Sequence, residues 1–149
     1  MTWTLAQLKA GDVAAGANPD ITAAAAALNA QTTTETVDVP ISAVEGYLLI
    51  NGILPAMQAW AAAHPADTTG VLAVIESIQA LVSAPTLQAV AMSDPATNAA
   101  VTKMLGALTA AGLMTSAQEA TVLAMATATV PIWQPTITPG DIQTARAQP

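Results

Sequence analysis

Helix-starting signals recur so closely along this chain that mostly short helices fit between them, set around two or three longer ones. Asn18-Pro19-Asp20 sets a cap, a first-turn proline and a dipole-favouring acid ahead of ITAAAAALNA, a short alanine-dominated helix. Ser42 and Glu45 have capping-box spacing before VEGYLLI, with Gly52 placed as its stop. Pro55 suits the first turn of PAMQAWAAAH, which His64-Pro65 ends. There Met57, Trp60 and Ala61 share a face, so Trp60 is expected in the core. Asp67 is expected to cap a helix through about Ser83, along which Val71, Val74, Ile75, Ile78, Leu81 and Val82 form the strongest amphipathic stripe. Pro85 begins a short helical turn, TLQAVAM. Ser93-Asp94-Pro95 repeats the cap, acid and proline pattern and opens a helix to about Ala111, stopped by Gly112. Thr115 or Ser116 caps the next helix, which ends before Pro131. Thr138-Pro139 starts a last one, GDIQTARAQ, with Arg146 in the final turn where a cation complements the dipole.

The expected fold class is therefore mainly α, a single compact bundle of several short helices. It carries an extended segment near residues 31–39 and an extended proline-rich C-terminal linker. The 31–39 segment, QTTTETVDV, is β-branched and polar, and reads as an arm, a short edge strand or a loop. Residues 1–130 are expected to form a helical domain with an N-terminal arm over about 1–17. Residues 131–149 are expected to form the linker, PIWQPTITP, and the short C-terminal helix.

The core available to such a bundle is thin. Hydrophobic residues make up 53% of the chain, but many are alanine, phenylalanine is absent and there is one tyrosine. Alanine buries little area, although it lets helices approach closely at no side-chain entropy cost. Only 9% of residues are charged, against about 25% in ordinary soluble domains. A surface of Ala, Thr, Gln and Ser is poorly defended against association. It points either to coverage by a partner or to an organism whose proteins are rich in alanine and threonine.

Several function classes fall away on the same grounds. The basic residues are Lys9, Lys103 and Arg146, and the net charge is −7, which leaves nothing to neutralise nucleic-acid phosphates or an anionic membrane surface. There is no cysteine, hence no disulfide, thiolate nucleophile or Cys-based zinc site. No secretory signal is read in MTWTLAQLKAGD. The charge-free stretches Gly46–Ala66 and Ala120–Gly140 are interrupted by prolines and polar residues, so no membrane insertion is expected.

His64 is the lone histidine and sits in a helix-ending turn. It cannot build a zinc site, and no G-x-S-x-G elbow offers a serine to it. Asp20, Asp67 and Asp94 are accounted for by helix starts, and Gly11 and Gly16 lack the lysine-serine of a phosphate loop. The reading is of a non-enzyme with no catalytic residue, cofactor, metal or small-molecule substrate. Trp3 and Trp133 stand in odd places for so large a side chain. With Ile132 and Ile137 they are the candidate interface residues, the alternative being that the tryptophans fold back onto their own thin core.

From about residue 21 the order of features resembles small proteins encoded near structural genes in tailed-phage genomes. The resemblance rests on Leu28-Asn29-Ala30, Val39-Pro40-Ile41-Ser42, Met92-Ser93-Asp94-Pro95, the Leu108–Thr115 stretch LTAAGLMT and, most distinctively, the Thr138–Arg146 stretch TPGDIQTAR. It departs from the pattern at Val130-Pro131-Ile132-Trp133-Gln134, where relatives carry a Ser-Arg-Ala-Glu-Glu-Leu-Gly-Leu-like run. The resemblance implies a virion structural protein of the tail, tail tip or fibre attachment. Its expected partners are other virion proteins and copies of itself. The alternatives are a capsid decoration or cement protein and a soluble phage accessory protein, either an assembly chaperone or a host-factor inhibitor.

Overall fold

A computed structural model describes residues 3–148. The elements run α1 (Leu5–Ala14), α2 (Ile21–Asn29), β1 (Thr32–Thr36), β2 (Val39–Pro40), α3 (Ile41–Ile50), α4 (Ile53–Ala63), α5 (Val71–Val82), β3 (Ala89–Val90), α6 (Pro95–Ala110), α7 (Ser116–Ala124), β4 (Thr127–Pro131) and α8 (Pro139–Ala147). The protein is mainly helical and its helices are short. They are gathered into two compact units. One, the terminal unit, combines the chain up to Glu35 with the chain from Thr129 onward; the other, the central unit, is the continuous stretch Thr36–Ala128. This division differs from the expected one at residue 130, because α8 packs on α1 and α2 rather than trailing from the bundle.

In the terminal unit the expected arm contains helix α1. Thr4 caps it by a reciprocal box, its hydroxyl accepting from Gln7 N while Gln7 Oε1 accepts from Thr4 N at 2.8 Å. Asp20 is itself the cap of α2, accepting from Thr22 N and Ala23 N. Thr138 and Asp141 form a second reciprocal box at the start of α8, with Pro139 in its first turn. Leu8, Ala24, Ala25, Leu28, Ile137, Ile142 and Ala145 make the core, and Trp3, Leu5, Ile21 and Trp133 pack against it. The alanines of α2 let the helices come close, and the fully buried Leu8, Leu28 and Ile142 supply the apolar area. Each such side chain contributes about 1.5–3 kcal/mol by leaving water.

In the central unit α3 packs on α4 and α5, α5 continues to α6, and α6 packs on α7. The stripe expected on α5 does face the core, through Ile75 and Ile78, where they meet Leu48, Ile53, Met57, Leu105, Leu108, Met114 and Val122. The antiparallel pair β2–β3, in register Val39↔Val90, covers a second cluster with Ile41, Met92 and Ala126. Gly52 and Gly112 each take φ 72°, the left-handed turn that ends α3 and follows α6.

Other starts and stops differ from expectation for local reasons. Ser42 and Glu45 form no box, because α3 begins directly from Pro40 as β2 ends. Around Pro85 there is a turn leading into β3, since Gln88 and Ala89 pair with the Pro40–Ile41 edge instead of coiling. Helix α7 stops at Ala124 and the chain extends as β4, which pairs with β1. Trp60 is half-buried at the edge of the core, its ring stacked on His64 with centroids 4.2 Å apart.

Asp67 does not cap α5 directly; Gly70 is the residue before the helix. The Asp67 carboxylate instead gathers donors, accepting from Leu72 N at 3.0 Å, Thr69 N at 2.9 Å and the Thr69 hydroxyl at 2.6 Å. These bonds, Leu72 N foremost, hold its pKa at about 2. Hydrogen bonds likewise lower Asp94 (from Thr97) and Asp141 (from Thr138). Carboxyls with a lower pKa folded than unfolded stabilise the fold while ionised, above about pH 4, and lose that contribution as pH falls toward about 2. Urea unfolding midpoints should therefore be level near neutrality and decline below about pH 4. In Asp67→Asn the decline should be shallower; an unchanged slope would show that Asp67 is not one of the groups responsible.

Candidate functional site

The phase of α1 carries an acid into the core. Asp12 lies one turn from Leu8, on the face that packs inward, and is 2% exposed. A carboxylate in such a place needs a partner. Arg146 of α8 supplies it from 134 positions away, Nε donating to one oxygen at 2.6 Å and Nη2 to the other at 2.8 Å. Nη2 also donates to the Asn18 carbonyl at 2.7 Å, so one guanidinium ties α8 to α1 and to the turn before α2. The Arg146 hydrogen bonds hold the Asp12 carboxyl below its ordinary range. Lys9 Nζ donates to the Gln148 carbonyl at 2.6 Å, a second tie between the same helices.

The connection into α8 is fastened as closely. Asn29 brackets Ile137, donating to its carbonyl and accepting from its N–H, both at 2.8 Å. Trp3 Nε1 donates to the Pro135 carbonyl at 2.7 Å, beside the cis Gln134–Pro135 peptide. Trp133 Nε1 donates to Gln31 Oε1 at 3.0 Å, and the far edge of its ring lies over Gly11. A Cβ at Gly11 would sit 2.5 Å from Trp133 Cζ2, so this glycine is what lets the indole close on the helix.

Of the expected interface set, then, Ile137 is a core residue at 2% exposure and is corrected as such: the Asn29 bracket turns it inward. Trp3 and Trp133 follow the fold-back alternative, half-buried with both indole N–H groups satisfied inside the unit. Ile132 alone of the set stands open, at 46% exposure.

An apolar cavity of about 40 Å³ lies between α3, α5, α6, α7 and the β2–β3 pair, lined by residues such as Val39, Leu48, Ile78, Met104 and Val122. It presents aliphatic and thioether groups and no orienting polar side chain. Ser93 donates to Asp38 from its hydroxyl at 2.5 Å and its N–H at 3.0 Å, which lowers the Asp38 pKa and pins β2 to the approach of α6. The only histidine of the sequence ends α4 and places Nδ1 2.8 Å from the Trp60 carbonyl. Among the described residues no group of three or more His, Asp or Glu side chains could hold a metal ion.

What the central unit does present is apolar surface. Ile50 and Leu49, at the end of α3, are 86% and 57% exposed. The hairpin α3–α4 carries no charged residue from Gly46 to Ala66. The sequence held little signal for this: Ile41, Glu45 and Leu48 fall at the i, i+4, i+7 spacing of one face, so the helical period does not by itself set Leu49 and Ile50 in water. No model of a known protein family, no curated protein and no solved structure matches this chain.

Proposed function

We propose that this protein is a non-enzymatic structural component of a tailed-phage particle, acting by packing against other proteins. Its place is the tail, the tail tip or the fibre attachment. The observation that carries the packing role is the exposure of Ile50, Leu49, Val13 and Ile132 on a chain only 9% charged, an apolar and weakly charged surface of the kind proteins cover on assembly. The phage assignment rests on the resemblance carried by residues 28–30, 39–42, 92–95, 108–115 and above all 138–146.

Quantitative mass spectrometry of purified particles tests it. The expected result is a few to a few dozen copies per particle. Hundreds of copies would move the protein to the capsid as a decoration or cement component. Recovery from infected-cell lysate but never from particles would overturn the structural reading in favour of an assembly chaperone or host-factor inhibitor.

A further inference from the structure

We infer that the outer edge of β1 docks one extended strand of a partner protein, a strand carrying a lysine or arginine two residues ahead of a β-branched residue. This edge is separate from the aliphatic surfaces above, and the inference does not rest on the particle role. β1 and β4 form a sheet of only two strands, an arrangement that is marginal without a third. The Gln31 carbonyl accepts from Ile132 N at 3.1 Å and the Ala126 carbonyl from Val37 N at 2.8 Å, so the two strands run antiparallel. In the ladder these bonds set, Thr33 faces β4 with its N–H and C=O, as does Glu35, whereas Thr32 and Thr34 turn theirs away. The two outer edges are unequal. On β4 the outward positions include Pro131, which has no N–H to give. β1 has neither proline nor lysine to blunt it, and all five of its residues are exposed. Among the described residues, no hydrogen bond outside the ribbon occupies the outward backbone groups of Thr32 and Thr34.

Backbone chemistry and charge select the occupant. Donor and acceptor groups repeating at every second residue along an edge are matched by an extended strand, not by a helix. When an antiparallel strand is added there, Thr33 and Glu35 fall in the non-hydrogen-bonded pairs, where Cα atoms are about 4.5 Å apart and side chains meet most closely. A cation facing Glu35 and a β-branched residue facing Thr33 make favourable cross-strand pairs, and a carboxylate facing Glu35 makes a repulsive one. Read along the incoming strand, the cation comes two residues before the β-branched residue. A second copy brings no such strand: the bases of this chain, Lys9, Lys103 and Arg146, lie in helices α1, α6 and α8. The partner is therefore another protein, and a net charge of −7 favours the approach of a basic segment.

Residue-resolved amide hydrogen exchange with an end-blocked synthetic peptide, Thr-Lys-Val-Thr-Lys-Val-Thr, decides this. The peptide should slow exchange at Thr32 and Thr34 about tenfold or more, and leave Thr33 and Glu35, already bonded to β4, as they were. Thr34→Pro removes an outward N–H that the ribbon does not use, so the fold should persist and peptide binding should be lost. Glu35→Lys should weaken binding of the lysine peptide about fivefold and favour the same peptide with glutamate in place of lysine. Both positions are exposed, so far-ultraviolet circular dichroism of each variant should match wild type. No slowing at about 1 mM peptide, equal slowing along Thr32–Glu35, or undiminished binding to Thr34→Pro would each overturn the assignment. Equal affinity of the wild-type chain for the lysine and glutamate peptides would overturn it as well. So would slowing at Thr32 and Thr34 that follows protein concentration alone, since a second copy would then hold the edge.

Discussion

Replacing Arg146 by methionine is expected to destabilise the terminal unit far more than removing the Asp12–Arg146 pair altogether. In wild type the two-pronged contact from Nε and Nη2 compensates a carboxylate that is 2% exposed. Methionine keeps much of the aliphatic stem and removes the charge, leaving Asp12 buried with no counter-ion at a cost of about 2–3 kcal/mol. The double variant Asp12→Leu/Arg146→Met has no orphaned charge and should recover most of that loss. The pH dependence adds a sign. Stripped of Arg146, the Asp12 carboxyl is dominated by burial, which favours its neutral form. The deficit of Arg146→Met relative to wild type should therefore shrink as pH falls below about 4, where wild type itself loses the benefit of the ionised pair. Urea unfolding followed by fluorescence is the measurement. Trp60→Phe removes the one tryptophan of the central unit, so that Trp3 and Trp133 report on the terminal one. Equal destabilisation by the single and double substitutions would mean that the pair does not act as a pair.

The second large effect is expected at Gly11. An added Cβ meets Trp133 Cζ2 at 2.5 Å and the neighbouring Cη2 at 2.7 Å, closer than carbon atoms pack. The indole cannot yield freely, because its N–H is held by Gln31 and its ring packs on the terminal core. Gly11→Ala gains helix propensity worth about 1 kcal/mol, but overpacking costs about 1–3 kcal/mol, and valine at the same place costs more. The alanine variant should be less stable than wild type and its Trp133 emission red-shifted. Combined with Trp133→Leu, which vacates the space, Gly11→Ala should become neutral or stabilising. Additive losses would show that the ring does not press on Gly11.

These two sites show where sequence reasoning stops. Helix starts were legible because caps are local: Asp20, Asp94, Thr115 and Thr138 each bind an N–H within a few residues. The buried stripe of α5 was legible because six apolar residues keep the helical period. Helix α1 was not, since LAQLKAGDVA offers two leucines, a glycine and an acid whose meaning lies 134 residues away in Arg146. That arginine could be read only as a cation suiting the dipole of its own helix. The strands β3 and β4 were hidden for a related reason. Two residues of β3 or five of β4 carry too little pattern to show, and pairing with β2 and β1 makes them strands. In the candidate interface, large apolar residues beside prolines did not reveal which would turn inward, and on α3 the period that groups Glu45 with Ile41 and Leu48 did not mark Leu49 as open.

The order in which the ribosome delivers these segments gives the split terminal unit a further meaning. Helices α1 and α2 emerge first, yet α8, which completes their core, follows only after the whole of Thr36–Ala128. At 5–20 residues per second that is a wait of roughly 5–20 s for about a hundred residues, during which two short helices cannot hold their shape alone. The central stretch suffers no such delay. A chain broken off before α8 would thus carry a finished middle and leave Leu8 and Leu28 without their cover, legible to proteases as an incomplete product.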